Sequence, residues 1–256
     1  HMSTHTSPAA ASPAAVSPAA AAASPAAAAS PAAAAASPAA AVSPAAGAAQ
    51  PSLQTPRLVD VELIADGWIK KYVLTYELAD GTPYHYDCAS RKAPAAFRAG
   101  LEANAQNLPA SPDAVCIVGF TENDELLMIR EFRYPLNSWC IAFPAGLVEP
   151  GEDLATCVDR ELREETGYAL RVAEGEALAS AITPLPQAGF SSTGLTDETV
   201  QIVYAQVTRV ADAAPEQGEL IEQFLLPRAD VARFVAENAT PIGTRAQLVL
   251  EALCNR

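Results

Sequence analysis

The most informative part of the chain is residues 146–168, GLVEPGEDLATCVDRELREETGY. Within it, Leu154, Val158 and Leu162 recur every four residues. That spacing is typical of an amphipathic helix whose apolar stripe faces a core. Gly167 is expected to end the helix, because glycine readily adopts the left-handed conformation that follows a last helical turn. The stretch therefore predicts one amphipathic helix with polar side chains beside its apolar stripe.

Three carboxylates lie beside that stripe. Positions three and four residues apart are stacked on a helix, so Cys157, Glu161, Glu164 and Glu165 share one face. Stacked like charges cost roughly a few tenths of a kcal/mol per pair, so a compensating cation is expected. Mg²⁺ takes oxygen ligands and bridges to substrate phosphates, which this cluster would suit. The alternative is an ordinary solvated face without a ligand.

Short strands and a few helices are predicted around this helix from apolar alternation and turn residues. The predicted strands are Val59–Leu63, Trp68–Tyr76, Tyr84–Cys88, Ala114–Phe120, Glu125–Phe132, Trp139–Phe143, Thr199–Val207 and Leu220–Leu225. The predicted helices are Leu154–Thr166, Ala229–Glu237 and Thr244–Leu253. The first three strands are expected to form a small antiparallel sheet. Because strands and helices do not alternate regularly, the fold class is α+β or mixed α/β with a sandwich architecture.

The N-terminal part differs in composition from the rest. Residues 1–56 contain no Asp, Glu, Lys or Arg, and Ser-Pro followed by alanines recurs seven times. Proline stops each alanine run before a stable helix can form, so a disordered tether is predicted, with a docking or targeting segment as the alternative. The expected organisation is a tail over 1–56, a small β subdomain over 57–111, and a larger domain over 112–256 that contains the helix of the quoted stretch.

The charge and cysteine content narrow the function class. The formal net charge is -14, which argues against a nucleic-acid partner, because phosphate binding depends on Lys and Arg. The five cysteines are odd in number and form no CxxC motif, so neither a disulfide framework nor a zinc ribbon is expected. No membrane span or secretory signal is predicted. A reduced, cytoplasmic compartment fits these features best.

The stretch resembles the Nudix box, G-x5-E-x7-R-E-U-x-E-E-x-G-U, at every fixed position. The matching residues are Gly146, Glu152, Arg160, Glu161, Leu162, Glu164, Glu165, Gly167 and Tyr168. Nudix hydrolases cleave a nucleoside diphosphate linked to another moiety, with Mg²⁺ or Mn²⁺ and an attacking water. The resemblance implies that activity and a Nudix α/β/α sandwich.

The resemblance also implies a role for each box residue. Glu161 and Glu165 would be the principal metal ligands, with Glu164 auxiliary and the main-chain carbonyl of Ala145 completing the site. Arg160, which we count with the catalytic residues, would orient the helix and its carboxylates. The metal would neutralise charge on the bridging oxygens and lower the pKa of a water.

A narrower resemblance is to the ADP-ribose pyrophosphatase branch. The stretches Arg130–Arg133 and Trp139–Gly146 look like its R-Q-F-R…E-x-P-A-G signature. In that branch a three-strand N-terminal segment exchanges between the subunits of a homodimer. One departure is Ala142, where the branch usually has glutamate three residues before the alanine of Pro-Ala-Gly, so a carboxylate is missing there.

Aromatic and basic residues are the candidates for substrate binding. Trp68 and Tyr86 resemble the aromatics that sandwich adenine in dimeric members, and their alternative is ordinary sheet core. Arg91, Arg130 and Arg133 could engage phosphate or base, since guanidinium binds phosphate bidentately. We favour Arg133, whose alternative is a solvated strand position.

The general base is expected in the loop over 215–219. In the branch this loop carries a catalytic glutamate after a glycine, which Glu219 matches best. Glu216 and Glu222 are its rivals, and an inert loop carboxylate is the alternative.

The predicted activity is Mg²⁺-dependent hydrolysis of ADP-ribose to AMP and ribose 5-phosphate by a homodimer. Mn²⁺ is the alternative metal. Another nucleoside diphosphate sugar, such as ADP-glucose or GDP-mannose, is the nearest alternative, because the box recognises phosphates and not the sugar. A non-catalytic ADP-ribose sensor is the alternative from a different class.

Overall fold

The computed structural model describes residues 54–107 and 111–254. The prediction of a disordered tail falls outside this range, apart from residues 54–56. The helices are α1 Pro94–Ala105, α2 Leu154–Thr166, α3 Val231–Glu237 and α4 Thr244–Cys254. The strands are β1 Arg57–Ala65, β2 Lys70–Glu77, β3 Pro83–Ser90, β4 Ala114–Phe120, β5 Glu125–Arg133, β6 Ser138–Ala142, β7 Ala145–Leu147, β8 Tyr168–Leu170, β9 Ile182–Pro184, β10 Gly189–Phe190, β11 Thr199–Arg209 and β12 Ile221–Pro227.

The first three strands form the small antiparallel sheet that the sequence predicts, in the order β1-β2-β3. β2 begins at Lys70, two residues later than predicted, because the Asp66-Gly67 turn extends through Ile69. Helix α1 covers one face of this sheet and was not predicted. Its Phe97 ring packs against Tyr72 with ring centroids 4.5 Å apart, which fixes the helix to the sheet.

The remaining strands form one mixed sheet with the central order β10-β11-β4-β5-β12. β4 and β11 are parallel neighbours, whereas β5 pairs antiparallel with β4, β6 and β12. β7 adds to β4 in antiparallel register, with Ala145 opposite Cys116 and Gly146 opposite Val115. This pairing places the start of the box against the central strand.

Both faces of the mixed sheet are covered, which confirms the sandwich. On β4, Val115 and Ile117 belong to the apolar cluster that includes α2, whereas Cys116 and Val118 belong to the cluster that includes α3 and α4. Alternate residues of a strand point to opposite faces. A strand buried on both faces is a nearly continuous apolar run, as β4 is.

Helix α2 has well-defined ends. The side chain of Asp153 accepts hydrogen bonds from the backbone N–H groups of Ala155 and Thr156, as a helix N-cap does. Gly167 follows the last turn with a φ of +73°, and a Cβ there would lie 2.3 Å from the carbonyl oxygen of Ala211. Only glycine fits that position, which is where the sequence predicts the helix to end.

The cysteines and the helix lengths are two further features of the described residues. All five cysteines are free thiols. Among the helices within 54–107 and 111–254, none is long and apolar enough to cross a membrane.

Candidate active site

The box carboxylates lie where α2 packs against the sheet. Glu161 and Glu165, one turn apart on the helix, are buried, with 8% and 6% of their surfaces exposed. Glu164 is partly exposed. Glu165 Oε2 accepts a 3.1 Å hydrogen bond from the backbone N–H of Ala145. A Cβ on Gly146 would lie 1.8 Å from Glu161 Cδ, so the glycine makes room for that carboxylate.

Arg160 ties these elements together. Its Nε and Nη2 each lie 2.9 Å from a different oxygen of Glu152, a bidentate pair. This pair lowers the pKa of Glu152 to about 2. Nη1 donates to Glu161 at 2.7 Å and to Glu164 at 3.2 Å, and Nη2 donates to the carbonyl oxygen of Leu147 at 3.0 Å. Arg160 therefore holds α2 against β7 and partly neutralises the carboxylates.

The electrostatic environment disfavours negative charge at both buried glutamates. Burial raises the pKa of Glu165 well above its ordinary value, and the hydrogen bond from Ala145 opposes this only in part. The charges of Glu161, Glu131 and Glu219 raise the pKa of Glu165 further. Burial also raises the pKa of Glu161, against the opposing effect of Arg160. A bound cation would relieve these effects.

The donor set fits a hard divalent cation in its chemistry. Carboxylate and carbonyl oxygens are the ligands that such ions prefer, and the site offers the carboxylates of Glu161 and Glu165 beside the Ala145–Gly146 backbone. Within residues 54–107 and 111–254, however, no three acidic, His or Cys side chains converge closely enough to hold an ion. Glu161 Oε1 accepts a hydrogen bond from Arg160, so this oxygen is already engaged within the protein.

Glu131 is a buried carboxylate near this site that the sequence analysis did not select. It lies on β5 and is 9% exposed, and burial raises its pKa, with Arg133 opposing and the charge of Glu219 adding. Glu131 lies within the stretch Arg130–Arg133 quoted above. A single glutamate in a strand forms no repeating pattern, however, so the sequence alone did not single it out.

Glu219 lies in the loop before β12. Its Oε2 accepts a 2.9 Å hydrogen bond from the backbone N–H of Glu216. Its charge contributes to the raised pKa of both Glu161 and Glu165, so its carboxylate is in electrostatic range of the box. Its rival Glu222 instead pairs with Arg130 at 3.0 Å.

A cleft of about 860 Å³ adjoins the backbone at Ala145 and Gly146. Two of the arginines proposed for substrate binding line it, each beside a glutamate. Arg91 pairs with Glu198. Arg133 Nη2 lies 2.8 Å from Glu131 Oε2. Arg245, at the start of α4, also lines the cleft and was missed, because a single arginine in a predicted helix gives no signal.

The two aromatic candidates are placed differently. Tyr86 lines a second, smaller cavity of about 400 Å³, and its hydroxyl donates a 2.7 Å hydrogen bond to the carbonyl oxygen of Gly194. Phe190 lines both the cleft and this cavity, so the two adjoin. Trp68 lies in the β1–β2 turn, is 75% exposed and lines neither of them.

With this geometry in place, comparison with known proteins identifies the family. The model of the NUDIX domain matches residues 110–244. The chain belongs to the NUDIX family. Its resemblance to the ADP-ribose pyrophosphatase branch agrees with the names of similar proteins. An ADP-ribose pyrophosphatase of Saccharomyces cerevisiae is 40% identical over 79 residues, which span 31% of this chain and 32% of that protein.

Two further likenesses cover more of the chain. An ADP-ribose pyrophosphatase of Bacillus subtilis is 29% identical over 136 residues, 52% of this chain and 68% of that protein. A solved structure titled as an ADP compounds hydrolase superposes with a TM-score of 0.59 at 21% identity, over 80% of this chain and 95% of its own. At that identity the superposition establishes the fold alone.

Proposed function

We propose that this NUDIX protein hydrolyses the diphosphate of ADP-ribose, with Mg²⁺, to AMP and ribose 5-phosphate. The observation that carries the proposal is the pair of buried carboxylates, Glu161 and Glu165, held against the Ala145–Gly146 backbone at the edge of the cleft. The names of the similar proteins support the choice of substrate. Catalysis in the cytoplasm, where ADP-ribose and Mg²⁺ would meet the enzyme, is part of the proposal.

The residues that would hold the cation are Glu161, Glu165 and the carbonyl of Ala145, with Glu164 as an auxiliary ligand. When bound, the cation supplies charge neutralisation for the diphosphate oxygens and acidifies a water. Arg160 joins α2 to the preceding loop through Glu152 and to β7 through the carbonyl oxygen of Leu147, so the two ligands stay in place relative to the backbone. This positioning matters because preorganised charge supplies most of the stabilisation of a phosphoryl transition state.

The cleft accounts for substrate binding. Arg133 and Arg91 line it and would face the phosphate groups once their glutamate partners release them. Tyr86 lies in the adjoining cavity, whose apolar walls suit a flat purine. Trp68 lies outside both cavities of one chain, so it could contact a base only from a second subunit. Its proposed role therefore depends on the proposed homodimer.

Glu219 is the proposed general base. It lies in electrostatic range of the box carboxylates, whereas Glu222 is paired with Arg130. From the loop before β12 it would take the proton from the attacking water.

The test is product analysis of the purified full chain with Mg²⁺ against ADP-ribose, ADP-glucose, GDP-mannose and NADH. The proposal predicts AMP and ribose 5-phosphate from ADP-ribose, with the highest kcat/KM of the four. Faster turnover of ADP-glucose or GDP-mannose would move the assignment to another nucleoside diphosphate sugar. Binding of ADP-ribose, seen as a raised melting temperature without any product, would instead indicate a sensor.

A further inference from the structure

The carboxylate of Glu131 lacks the hydrogen bonding that its burial requires. The residue is 9% exposed, and its buried Oε2 has no hydrogen-bond partner among the residues that the structure describes. Arg133 Nη2 lies 2.8 Å away, but the approach does not have the geometry of a hydrogen bond. Burying such an oxygen without a hydrogen bond is costly. A partner other than Arg133 would explain why the carboxylate is retained there.

Strand register places Glu131 next to residues that line the cleft. In the β5–β6 pair, Glu131 lies opposite Cys140, and Ile129 lies opposite Ala142. Directly opposite side chains share a face of the sheet, as do residues two apart on one strand. Glu131 is therefore a diagonal neighbour of Ala142 on the same face. Both Cys140 and Ala142 line the cleft.

The same face looks toward the box. Leu127 lies four residues before Glu131 on β5 and therefore on the same face, and it packs in the apolar cluster with α2. Burial is the main cause of the raised pKa of Glu165, and the charge of Glu131 is among the causes that add to it. Glu131 on the strand therefore lies on the side of the sheet that α2 covers, in electrostatic range of Glu165.

Two departures from the branch signature fall on this pair of strands. The signature has glutamine at the position of Glu131 and glutamate at the position of Ala142. Here the carboxylate is absent from β6 and present on the neighbouring strand β5, on the same face of the sheet. At these two positions the face therefore carries one carboxylate, as it does in the signature.

We propose that Glu131 is a further carboxylate of the divalent-cation site, supplying from β5 the charge that is missing at Ala142. The inference rests on the proposed function, because it concerns the same cation. A cation bound beside Glu131 would give its Oε2 the partner that it lacks. Arg133, which lines the cleft, is then released to face an anionic group of the substrate.

The test is Mn²⁺ binding by the full chain, followed through the loss of the free-ion electron paramagnetic resonance signal. The variants are Glu131→Gln, the double change Glu131→Gln with Ala142→Glu, and the control Glu237→Gln on α3, whose side chain is 69% exposed. We expect Glu131→Gln to weaken Mn²⁺ binding by about 10- to 100-fold, as loss of a supporting carboxylate does. The double variant should recover most of the affinity, and the control should match the wild type.

Wild-type affinity in a folded Glu131→Gln protein would overturn the inference and leave Glu131 as a partner of Arg133 only. If the single variant does not fold, the double variant decides: wild-type affinity supports the inference, and lost affinity in a folded protein contradicts it. A wild-type chain that neither binds Mn²⁺ nor hydrolyses ADP-ribose would refute the proposed function itself. Hydrolysis by the wild type, with unchanged Mn²⁺ affinity in Glu131→Gln, would refute the inference alone.

Discussion

Glu161 and Glu165 are retained as carboxylates in surroundings that oppose their charge. Burial raises the pKa of both, so each stabilises the folded protein less as an anion than as a neutral group. We expect Glu161→Gln and Glu165→Gln each to lower kcat by about 10²- to 10⁴-fold, since a metal site supplies several kcal/mol of transition-state stabilisation. Without metal, the melting temperature should stay the same or rise. Turnover close to the wild-type rate in either variant would remove that residue from the metal site.

Glu219 is predicted to accept a proton during catalysis and not to stabilise the fold. Glu219→Gln should lower kcat by about 10²- to 10⁴-fold, as loss of a general base does, and leave the melting temperature unchanged. Its neighbour Glu216 provides the matched control, because Glu216→Gln changes the same loop charge. An equally large loss of activity in Glu216→Gln would show that the charge of the loop, and not the Glu219 carboxylate in particular, matters, and wild-type activity of Glu219→Gln would remove Glu219 from the mechanism.

The residues that the sequence predicted well are those with helical spacing. Glu161 and Glu165 are buried on one face of α2, as a spacing of four residues implies. Glu131 and Arg245 were missed for a physical reason. Each is placed near the site by contacts between segments that are far apart in sequence. Local hydrophobic periodicity does not reveal such long-range contacts.

At the scale of the elements, the Arg160–Glu152 pair joins α2 to the loop before it. Because Glu152 is largely buried, Glu152→Gln should lower the free energy of unfolding by about 1–3 kcal/mol, the cost of weakening a buried charged hydrogen bond. Chemical denaturation at pH 7 measures this loss. The exposed Glu149 is the control, and Glu149→Gln should change stability by less than about 0.5 kcal/mol.

The same pair predicts a pH dependence. The pKa of Glu152 is depressed to about 2 in the folded chain. Its contribution to the free energy of unfolding is therefore fully present above the unfolded pKa of roughly 4.3. The contribution is lost as the pH falls through about 2. The difference in stability between the wild type and Glu152→Gln should therefore shrink between these pH values. A difference that is constant across this range would contradict the assignment.

Helices and strands with a strong hydrophobic periodicity were predicted closely, and those with a weak periodicity were not. The bounds of α2 agree with the prediction, because the apolar stripe and Gly167 both point to the same helix. α1 was missed because Phe97 and Leu101 are its only large apolar residues among alanines. β7, β8, β9 and β10 have two or three residues each, too few to show alternation.

For the whole molecule, the predicted homodimer depends on the small sheet. The small sheet and its β1–β2 turn leave large apolar side chains exposed, and where such side chains are contiguous they mark an interaction surface. The exposed residues are Val59, Ile64, Trp68, Ile69, Tyr84 and Tyr86. Light scattering of the full chain at micromolar concentration should give twice the 26.6 kDa of one chain. A mass of one chain would contradict the dimer and with it the proposed role of Trp68.

The proposed function requires that the buried carboxylates of α2 hold a divalent cation, which would activate a water to hydrolyse a nucleoside diphosphate sugar. The most direct test is the rate of AMP release from ADP-ribose by the full chain, with Mg²⁺, with Mg²⁺ and excess EDTA, and with Glu165→Gln in Mg²⁺. We predict rapid release by the wild type in Mg²⁺, with equimolar ribose 5-phosphate, and at least about a hundredfold less in the other two. Unchanged release in EDTA or by Glu165→Gln would contradict the claim, as would no release at all.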